Sequence, residues 1–387
     1  MNITSGKQCT GCGACVMKCP KQCIKMIEDD NGFLIPHIDL SLCVKCGLCD
    51  KVCHLSYKPE LSENRVAYAA TNTKSRKVLN ESSSGGIFTL LAEEVINQGG
   101  IVFGVELNNA WNVSHIAIDS VDGLWKLRGS KYVQSSTGDT YLKAEDALKQ
   151  GITVLYSGTP CQIAGLKKFL SKDYENLYTV EVMCHGVASG KLFKLYIKWL
   201  EEKYNDKGTK YIFRSKRFSG WGHEAEFNCG RKVYKISADD PYIKCFMSGI
   251  SLREECYSCQ YTGIKRVADI TIGDFWGIQR EYPQWFDKNG VSAVLVNSMA
   301  GQRLIDLIRD TARFNEVSTA SIAKYNECLR QPAKYPENRK DFYSDIDKLG
   351  VEFIISKMLI HITRKDKILS LIPAPLKAYI KRLRHKY

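Results

Sequence analysis

Two short runs of cysteine near the N-terminus constrain this chain more than any other feature. Each run has four cysteines separated by two, two and three residues, and a proline follows the first run. The runs are Cys9, Cys12, Cys15 and Cys19, then Cys43, Cys46, Cys49 and Cys53. This spacing is typical of loops that wrap [4Fe–4S] cubanes with thiolate ligands. The sequence therefore predicts two cubanes within residues 1–58, and with them a chemistry of single-electron transfer.

The same spacing predicts how the ligands are shared. In bacterial two-cluster ferredoxins, the fourth cysteine of each run binds the cluster of the other run. This rule gives Cys9, Cys12, Cys15 and Cys53 for one cubane, and Cys43, Cys46, Cys49 and Cys19 for the other. Zinc and disulfide bonds are the alternatives, but they explain two runs of four less well. Cys23 lies outside the pattern, and we expect a buried thiol there.

The rest of the chain is long enough to bury a large core in one domain or two lobes. It has 387 residues, of which 44% are hydrophobic and 10% aromatic, a composition typical of globular proteins. The N-terminus lacks an apolar signal region, and no apolar run approaches the ~18 residues that a membrane span requires. We therefore expect a cytoplasmic protein that uses most of its sixteen cysteines for metal binding.

Positive charge is concentrated at the C-terminus. The net charge is +13, and residues 364–387 alone contain eight Lys or Arg against one Asp. The remainder is only mildly basic, so we expect no nucleic-acid partner. Residues 346–387 are predicted to form a helical tail. Its basic amphipathic part, residues 376–387, would lie on the inner membrane face as a peripheral contact, or else pack on the chain's own domain.

Strands and helices alternate between residues 65 and 345, which predicts a mixed α/β domain. The predicted strands are residues 101–105, 152–156, 178–183, 268–273 and 292–297, and residues 210–236 have the alternation of short antiparallel strands. The predicted helices lie between residues 87 and 98, at residues 163–170, and near residues 191–204.

Four further cysteines fall at loop positions of this domain: Cys161, Cys184, Cys256 and Cys259. Two of them come just after strands, where open α/β sheets bind ligands. Four thiolates would complete a third cubane, although buried structural thiols are the alternative. Cys229, Cys245 and Cys328 lack paired spacing, and we expect structural roles for them.

The domain lacks the usual nucleotide-binding motifs. Its sequence contains neither a Walker P-loop nor a G-x-G-x-x-G followed by an acidic residue, so a standard dinucleotide-binding module is not indicated. Residues Ser82 to Gly86 come directly before a helix and would suit an anion at the helix N-terminus, or an ordinary helix cap.

A set of short motifs nevertheless carries a resemblance. In chain order they are Ser83-Ser84-Gly85-Gly86, residues 129–135 (GSKYVQS), residues 158–162 (GTPCQ), residues 184–187 (CHGV), Cys256-x2-Cys259, and residues 268–277 (ADI-x2-GDFWG). Together they resemble the beta subunit family of coenzyme F420 hydrogenases and dehydrogenases, over most of residues 1–345.

The resemblance implies an FAD-binding domain with the third iron–sulfur cluster beside the flavin. The residues it places near the flavin are Ser83, Gly85, Gly86, Lys131, Tyr132, Gln134, Thr159 and Asp274. Lys131 and His185 are the candidate catalytic residues. Lys131 would offset the charge of the flavin pyrophosphate or stabilise a reduced flavin anion, and His185 would donate a hydrogen bond to the cluster or deliver a proton. Surface or purely structural roles are the alternatives for both.

The predicted fold class is therefore α+β: a small ferredoxin-like 2[4Fe–4S] domain (1–58), a larger mixed α/β flavin-binding domain (65–345) and the helical tail. The predicted function is an oxidoreductase that receives electrons from a carrier or partner redox subunit. Its FAD would exchange a hydride equivalent with an unidentified small molecule, such as a deazaflavin or another organic acceptor. The alternative is an adaptor that relays electrons between a partner enzyme and a soluble carrier without a substrate of its own.

Overall fold

The computed structural model describes residues 9–56, 58–346, 348 and 350. Most of the predicted tail, including its basic amphipathic part, falls at residues 351–387 and lies outside the described residues. Within the described part of the chain, no helix has the length and apolar character needed to cross a membrane.

Residues 9–56, hereafter the ferredoxin-like unit, form two short helices around a hairpin. The elements are α1 Ala14–Lys18, β1 Ile24–Glu28, β2 Leu34–Ile38 and α2 Leu48–Lys51. Strands β1 and β2 pair in antiparallel fashion. Each helix begins after a left-handed glycine inside a cysteine run, with φ of 77° at Gly13 and 73° at Gly47. Glycine is needed there because residues with a side chain rarely adopt this backbone conformation.

Eight of the remaining strands form one large sheet, and three form a small one. The strands are β3 Val66–Asn72, β4 Ile101–Leu107, β5 Val113–Ile118, β6 Val154–Gly158, β7 Leu177–Val182, β8 Lys210–Ile212, β9 Ala225–Cys229, β10 Lys232–Ile236, β11 Ile270–Asp274, β12 Ser292–Val296 and β13 Ala312–Val317. The large sheet has the order β13-β3-β12-β11-β7-β6-β4-β5, and the small sheet has the order β10-β9-β8.

The centre of the large sheet is parallel and its two sides are antiparallel. Neighbouring strands β4, β6, β7 and β11 pair in parallel, whereas β5, β12, β3 and β13 join by antiparallel pairs. The predicted mixed α/β architecture is thereby confirmed. The carboxyl ends of β6, β7 and β11 lie at one edge, so the residues that follow these strands are brought together.

Helices cover both faces of the large sheet. They are α3 Arg76–Glu81, α4 Ile87–Asn97, α5 Thr140–Lys149, α6 Pro160–Leu170, α7 Gly190–Tyr204, α8 Pro241–Met247, α9 Ile278–Glu281, α10 Met299–Asp306 and α11 Thr319–Tyr325. Short 3-10 turns occur at Val121–Lys126, Glu254–Ser258, Pro283–Trp285 and Glu327–Leu329. Along β6, Leu155 packs with the α4 and α10 layer, whereas Val154 and Tyr156 pack with α5 and α6, as strand alternation requires.

The small sheet has its own aromatic core against α7 and α8. This core includes Phe193, Tyr211, Phe227 and Tyr242, and Phe33 of the ferredoxin-like unit packs into it. The prediction of short antiparallel strands between residues 210 and 236 is thus confirmed, and the small layer also holds the ferredoxin-like unit.

Two predicted strands begin later than their sequence patterns indicate. The patterns predict strands from residues 152 and 268, but β6 begins at Val154 and β11 begins at Ile270. At β11 the reason is that Ala268 bonds to side chains: its N–H donates to the Glu181 carboxylate and its carbonyl accepts from the Asn297 amide.

A buried ion pair fixes the segment just before β11. Arg266 and Glu181 are 2% and 0% exposed and contact each other directly. The Arg266 guanidinium also donates to the carbonyls of Tyr261 and Gly263, while Glu181 accepts from the Thr271 hydroxyl at 2.9 Å. This pair therefore joins β7 to the loop that carries Cys259.

Replacing Arg266 by Met should strongly destabilise the protein. The substitution leaves the Glu181 carboxylate buried without its cation, which costs about 3–5 kcal/mol in comparable cases. Chemical denaturation monitored by far-UV circular dichroism would measure the change. The adjacent variant Lys265→Met is the matched control, because it removes only an exposed pair with Glu63. Equal denaturation midpoints for the two variants would contradict the role of the buried pair.

Candidate functional site

One predicted cubane ligand set borders a single cavity of the ferredoxin-like unit. Cys19, Cys43, Cys46 and Cys49 all line this cavity, together with Cys23. Cys23 is a buried thiol, as expected, and its sulfur lies 3.4 Å from that of Cys19. Cys46 is exposed, so this end of the unit faces solvent.

The other predicted set is buried against the large domain. Burial raises the pKa of the Cys15 thiol to about 12, and the neighbouring thiols of Cys9 and Cys53 add to the effect. Burial likewise raises the pKa of Cys12 well above its usual value, with Cys15 as the next contributor. Cys12 packs on Gly165 of α6, where an added Cβ would lie only 2.9 Å from the Cys12 sulfur. Cys9, Cys12, Cys15 and Cys53 are therefore electrostatic neighbours.

The third cysteine set lines a cavity of about 340 Å³. We call it the inner cavity; its cysteines are Cys161, Cys184, Cys256, Cys259 and Cys328. Cys161 and Cys184 follow the adjacent parallel strands β6 and β7, and Cys256 lies in the turn Glu254–Ser258. The sequence analysis grouped the first four of these cysteines and predicted a structural role for Cys328. Cys328 was missed because no other cysteine lies near it in the sequence. Cys229 and Cys245 are buried in the core around α7 and α8.

Burial keeps the inner thiols protonated in the absence of metal. It raises the pKa of Cys161 to about 11 and that of Cys256 to about 12. Cluster ligands must be thiolates, so iron binding here would release protons. Among the described residues, no three His, Cys, Asp or Glu side chains converge on a point suited to one metal ion. A cubane differs from a single ion in binding each thiolate through a different iron.

A hydrogen-bonded bridge connects the ferredoxin-like unit to the inner cavity. The buried His54 ring lies 2.9 Å from the Thr10 hydroxyl through Nε2 and 2.7 Å from the Tyr261 hydroxyl through Nδ1. Burial lowers the pKa of His54 to about 4, so the ring is neutral at physiological pH. Thr10 and Tyr261 both line the inner cavity. His54 takes the place of the proline that usually follows such a cysteine run, and nothing in the sequence indicated its contact with Tyr261.

Arg253 makes a second connection across the same boundary. It is 3% exposed and donates to the Cys9 carbonyl at 2.8 Å and the Leu34 carbonyl at 3.1 Å. Glu255 accepts from the same guanidinium at 2.8 Å. Because Arg253 also lines the inner cavity, one buried cation lies between two sets of thiols.

Three of the predicted flavin residues converge on an arginine that no sequence motif indicated. Arg214 is 4% exposed and forms a bidentate pair with Asp274 at 2.9 and 3.1 Å. It also donates to the Tyr132 hydroxyl at 3.0 Å and to the Ser83 carbonyl at 3.4 Å. We call Arg214, Asp274, Tyr132 and Ser83 the Arg214 group. Its members come from four separate segments, so no local motif reveals Arg214.

An aromatic surface adjoins the Arg214 group. Trp221 donates to Asp274 at 2.5 Å and stacks on Trp276 with ring centres 4.9 Å apart. The Arg214 guanidinium lies 5.2 Å from the centre of the Trp276 ring, and the His223 ring lies at 4.8 Å. Trp276 is partly exposed, so a flat ligand could reach it.

Two half-buried lysines lie near the Ser83–Ser84 loop, Lys131 by way of its neighbour Ser130, whose N–H donates to the Ser83 hydroxyl at 2.8 Å. Lys131, predicted from the sequence, donates to the carbonyls of Lys126 and Arg128. Lys216, which the sequence did not single out, donates to the carbonyls of Leu79 and Ser84. Burial lowers the pKa of each amine to about 7.

The remaining predicted flavin residues make structural contacts. The Gly85 N–H donates to the Ser292 hydroxyl, and Gly86, with φ of 76°, begins α4. Thr159 caps α6 reciprocally with Gln162, and its hydroxyl lies 3.1 Å from the Cys161 sulfur. The Gln134 carbonyl oxygen accepts from the Leu34 N–H of the ferredoxin-like unit.

His185 lies where the inner cavity approaches the Arg214 group. It lines the cavity beside Cys184, and its ring meets the edge of Phe246 at 5.5 Å. Phe246 stacks on Tyr132 at 4.4 Å, and Tyr132 belongs to the Arg214 group. Burial lowers the pKa of His185, and its Nε2 has no hydrogen-bond partner among the described residues. Contacts are thus continuous from the cysteine cavity to the aromatic surface.

Two family models of known proteins match the chain, one in each of its two parts. Residues 8–56 match the family model of the 4Fe-4S dicluster domain. Residues 152–321 match the model for the C terminus of the coenzyme F420 hydrogenase/dehydrogenase beta subunit. The first match confirms the predicted iron–sulfur unit, and the second confirms the resemblance carried by the motifs.

Individual relatives are distant. An uncharacterized protein of Methanocaldococcus jannaschii is 25% identical over 308 residues, covering 71% of this chain and 82% of the relative. An iron-sulfur polypeptide of the CoB–CoM heterodisulfide reductase from the same organism is 30% identical over 131 residues, which cover 26% of this chain and only 19% of that polypeptide. A chain in the F420-reducing [NiFe] hydrogenase complex of Methanosarcina barkeri has a TM-score of 0.46 and 18% identity, covering 76% of this chain and 96% of that one.

The two domain matches span both cysteine runs and four of the five thiols of the inner cavity. The chain is an iron–sulfur protein with a 4Fe-4S dicluster domain at residues 8–56, and its residues 152–321 match the C terminus of the coenzyme F420 hydrogenase/dehydrogenase beta subunit.

Proposed function

We propose that this chain is an iron–sulfur flavoprotein oxidoreductase. Single electrons would pass between the two cubanes of the ferredoxin-like unit and FAD, by way of a third cubane in the inner cavity. The observation that carries the proposal is the position of that cavity. Its wall includes Thr10 of the ferredoxin-like unit on one side and His185, which leads to the Arg214 group, on the other.

The donor set of the inner cavity fits a cubane. Cys161, Cys184, Cys256 and Cys259 supply four thiols from three segments around one space. The Thr159 hydroxyl lies 3.1 Å from the Cys161 sulfur and donates to the Gln162 side-chain oxygen; it would donate to a thiolate of Cys161 by turning away from that oxygen. Such hydrogen bonds raise the reduction potential of a cluster. The buried Arg253 cation would act in the same direction, because it stabilises added negative charge.

The surroundings of the Ser83–Ser84 loop fit the phosphates of a flavin nucleotide. Arg214 and Lys216 donate to the carbonyls of this loop, and Lys131 follows Ser130, whose N–H donates to the Ser83 hydroxyl. Both lysine amines bond to neutral carbonyls. Burial lowers the pKa of both lysines, and the nearby carboxylates of Glu106 and Asp274 offset this only in part. An anion at this loop would supply further compensating charge. His223 Nδ1 is, in addition, a buried polar atom without a hydrogen-bond partner in the described part of the chain.

FAD, when bound, would supply the chemistry that converts single electrons into a hydride equivalent. The chain's own residues would bind and orient it. The stacked pair of Trp221 and Trp276 offers a flat surface, and Asp274 holds Arg214 in place beside it. Lys131 would carry positive charge when negative charge develops nearby, and His185 would hold a proton close to the cluster. The proposed substrate is a small organic two-electron acceptor or donor, of which a deazaflavin is one example.

A specific surface feature favours the second candidate, an electron-transfer adaptor. Leu40, Leu42 and Val44 are 70%, 57% and 58% exposed, and they flank Cys43 close to the exposed Cys46. An apolar surface around an outer cluster suits a redox partner. One relative is named as an iron-sulfur component of heterodisulfide reductase, which is consistent with a partner enzyme. The two candidates differ in whether the isolated chain turns over a small molecule.

Anaerobic preparation followed by a donor and acceptor screen tests the function. For an oxidoreductase, the purified chain alone should catalyse electron transfer between a low-potential dye and at least one organic two-electron compound, with reduced F420 among those tested. Turnover that requires an added protein partner would support the adaptor instead. Protein without bound flavin after reconstitution with FAD would overturn the flavoprotein proposal.

Iron content should identify the inner cluster. The reconstituted protein should contain about twelve irons, four for each of three cubanes. Cys256→Ala, which removes one inner thiol, should lower the count to about eight and slow flavin reduction by electrons entering at the ferredoxin-like unit. Cys245→Ala is the matched control, because Cys245 is buried in the core around α7 and α8 and does not line the inner cavity. Twelve irons in the Cys256→Ala variant would contradict Cys256 as a ligand, and eight in the unaltered protein would contradict the third cluster.

FAD affinity should fall as the pH rises above about 7. Lys131 and Lys216 have lowered pKa values of about 7 in the free protein, and a bound phosphate would raise them. Binding then takes up protons, so affinity is full below pH 7 and declines above it until the raised pKa values are reached. The decline should approach tenfold per pH unit for each lysine involved. Fluorescence titrations at pH 6.5, 7.5 and 8.5 would measure it.

The lysine variants provide the control for this pH effect. Lys131→Met and Lys216→Met should weaken FAD binding at pH 6.5 and flatten its pH dependence. Lys210→Met removes an exposed lysine of β8 and should leave both unchanged. A pH dependence retained in the Lys131→Met/Lys216→Met double variant would rule out these amines as its source.

A further inference from the structure

The inner cavity has one more thiol than a cubane can use. Four thiolates complete a [4Fe–4S] cluster, but five cysteines line this cavity. The fifth, Cys328, lies outside the stretch that matches the beta subunit family model, which ends at residue 321. Neither the motif pattern nor the family match therefore gives Cys328 a role.

Cys328 is held in place by its surroundings. It lies in the turn Glu327–Leu329, whose Leu329 is 2% exposed. Its neighbour Asn326 is also buried and donates its side-chain amide to the Ile322 carbonyl at 3.0 Å. The turn is therefore anchored on both sides of the thiol, and Cys328 faces the cavity from a fixed segment rather than from a loose end.

The turn is also joined to the segment that carries Cys259. The Cys328 carbonyl accepts from the Gly263 N–H at 3.4 Å, and the Thr262 hydroxyl donates to the Cys259 carbonyl at 3.0 Å. Cys259 is thus the inner thiol that these contacts associate with Cys328.

We propose that Cys328 is an alternative ligand of the inner cluster, able to replace Cys259 at one iron. The inference rests on the proposed third cluster. Cys161, Cys184, Cys256 and Cys328 come from the same cavity and would still supply four thiolates without Cys259. In the exchange, the iron–sulfur bond to Cys259 breaks, a bond to the Cys328 sulfur forms, and the Cys328 proton passes to the Cys259 thiolate. No electron is gained or lost, so no further reactant is required.

Such an exchange would give the cluster two ligation states. The cluster would keep its iron if Cys259 were oxidised or displaced by a substrate at the cavity. Glu327 and Gln331 also line the cavity next to Cys328, so the two states would present different polar groups to an entering molecule.

Alanine variants test the inference, because alanine cannot bind iron. Cys259→Ala, Cys328→Ala and the double variant should be reconstituted anaerobically, and iron counted by inductively coupled plasma spectrometry. Both single variants should hold about twelve irons, and the double variant about eight. Electron paramagnetic resonance of the reduced Cys259→Ala protein should show an altered third signal, since the ligand set has changed.

The outcomes separate this inference from the proposed function. Eight irons in Cys259→Ala, equal to the double variant, would overturn it, as would twelve in the double variant. Eight irons in Cys328→Ala would make Cys328 an obligatory ligand, which also contradicts an alternative one. If the unaltered protein itself held only eight, the third cluster would fail first. Retention of the two N-terminal clusters and an unchanged thermal midpoint would confirm that each variant folds.

Discussion

The buried ion pair of Arg266 and Glu181 is the interaction on which the inner cavity depends. Glu181 belongs to β7, which leads into Cys184, whereas Arg266 holds the carbonyls of the loop after Cys259. Buried pairs often add little net stability, because the cost of desolvating two charges offsets their attraction. The main effect of this pair is to position two cysteine-bearing segments from distant parts of the chain against each other. It can do so because the planar arginine side chain donates hydrogen bonds in several directions at once.

Arg253 has the complementary role on the other side of the same loop. It precedes Cys256 and bonds to the carbonyls of Cys9 and Leu34, so the loop is fixed to the ferredoxin-like unit as Arg266 fixes it to the sheet. The His54 bridge between Thr10 and Tyr261 lies on this boundary as well. Electron transfer requires fixed separations, and these contacts make the ferredoxin-like unit part of the cavity wall. A nearby charge also alters the reduction potential of a cluster. Arg253 would therefore both position the loop and affect the reduction potential of a cluster in the inner cavity.

Much of this arrangement could be predicted from the sequence, and the physical reason is locality. Cysteines two residues apart must follow one loop, so their spacing alone indicates the ligand pattern. Cys161 and Cys184 were predictable because each follows a strand, and the carboxyl ends of parallel strands meet at one edge. Strand β11 began later than predicted because side chains of Glu181 and Asn297 satisfy Ala268. Arg214, Lys216 and Cys328 were not singled out. Their partners lie far away in the chain, so their functional contacts exist only once the sheets are packed.

The protonation state of the buried thiols determines whether the protein can fold before it binds iron. Without metal, burial keeps the thiols of Cys161, Cys184 and Cys256 neutral, and neutral thiols behave as small apolar side chains that a core tolerates. The fold can therefore form around the empty ligand set, since no repulsion between thiolates opposes it. In the proposed third cluster, iron would displace these protons, and its positive charge would offset the cost of burying negative sulfur. A surplus thiol would stay protonated and cost the fold no charge, which accounts for a cavity with more thiols than one cluster needs.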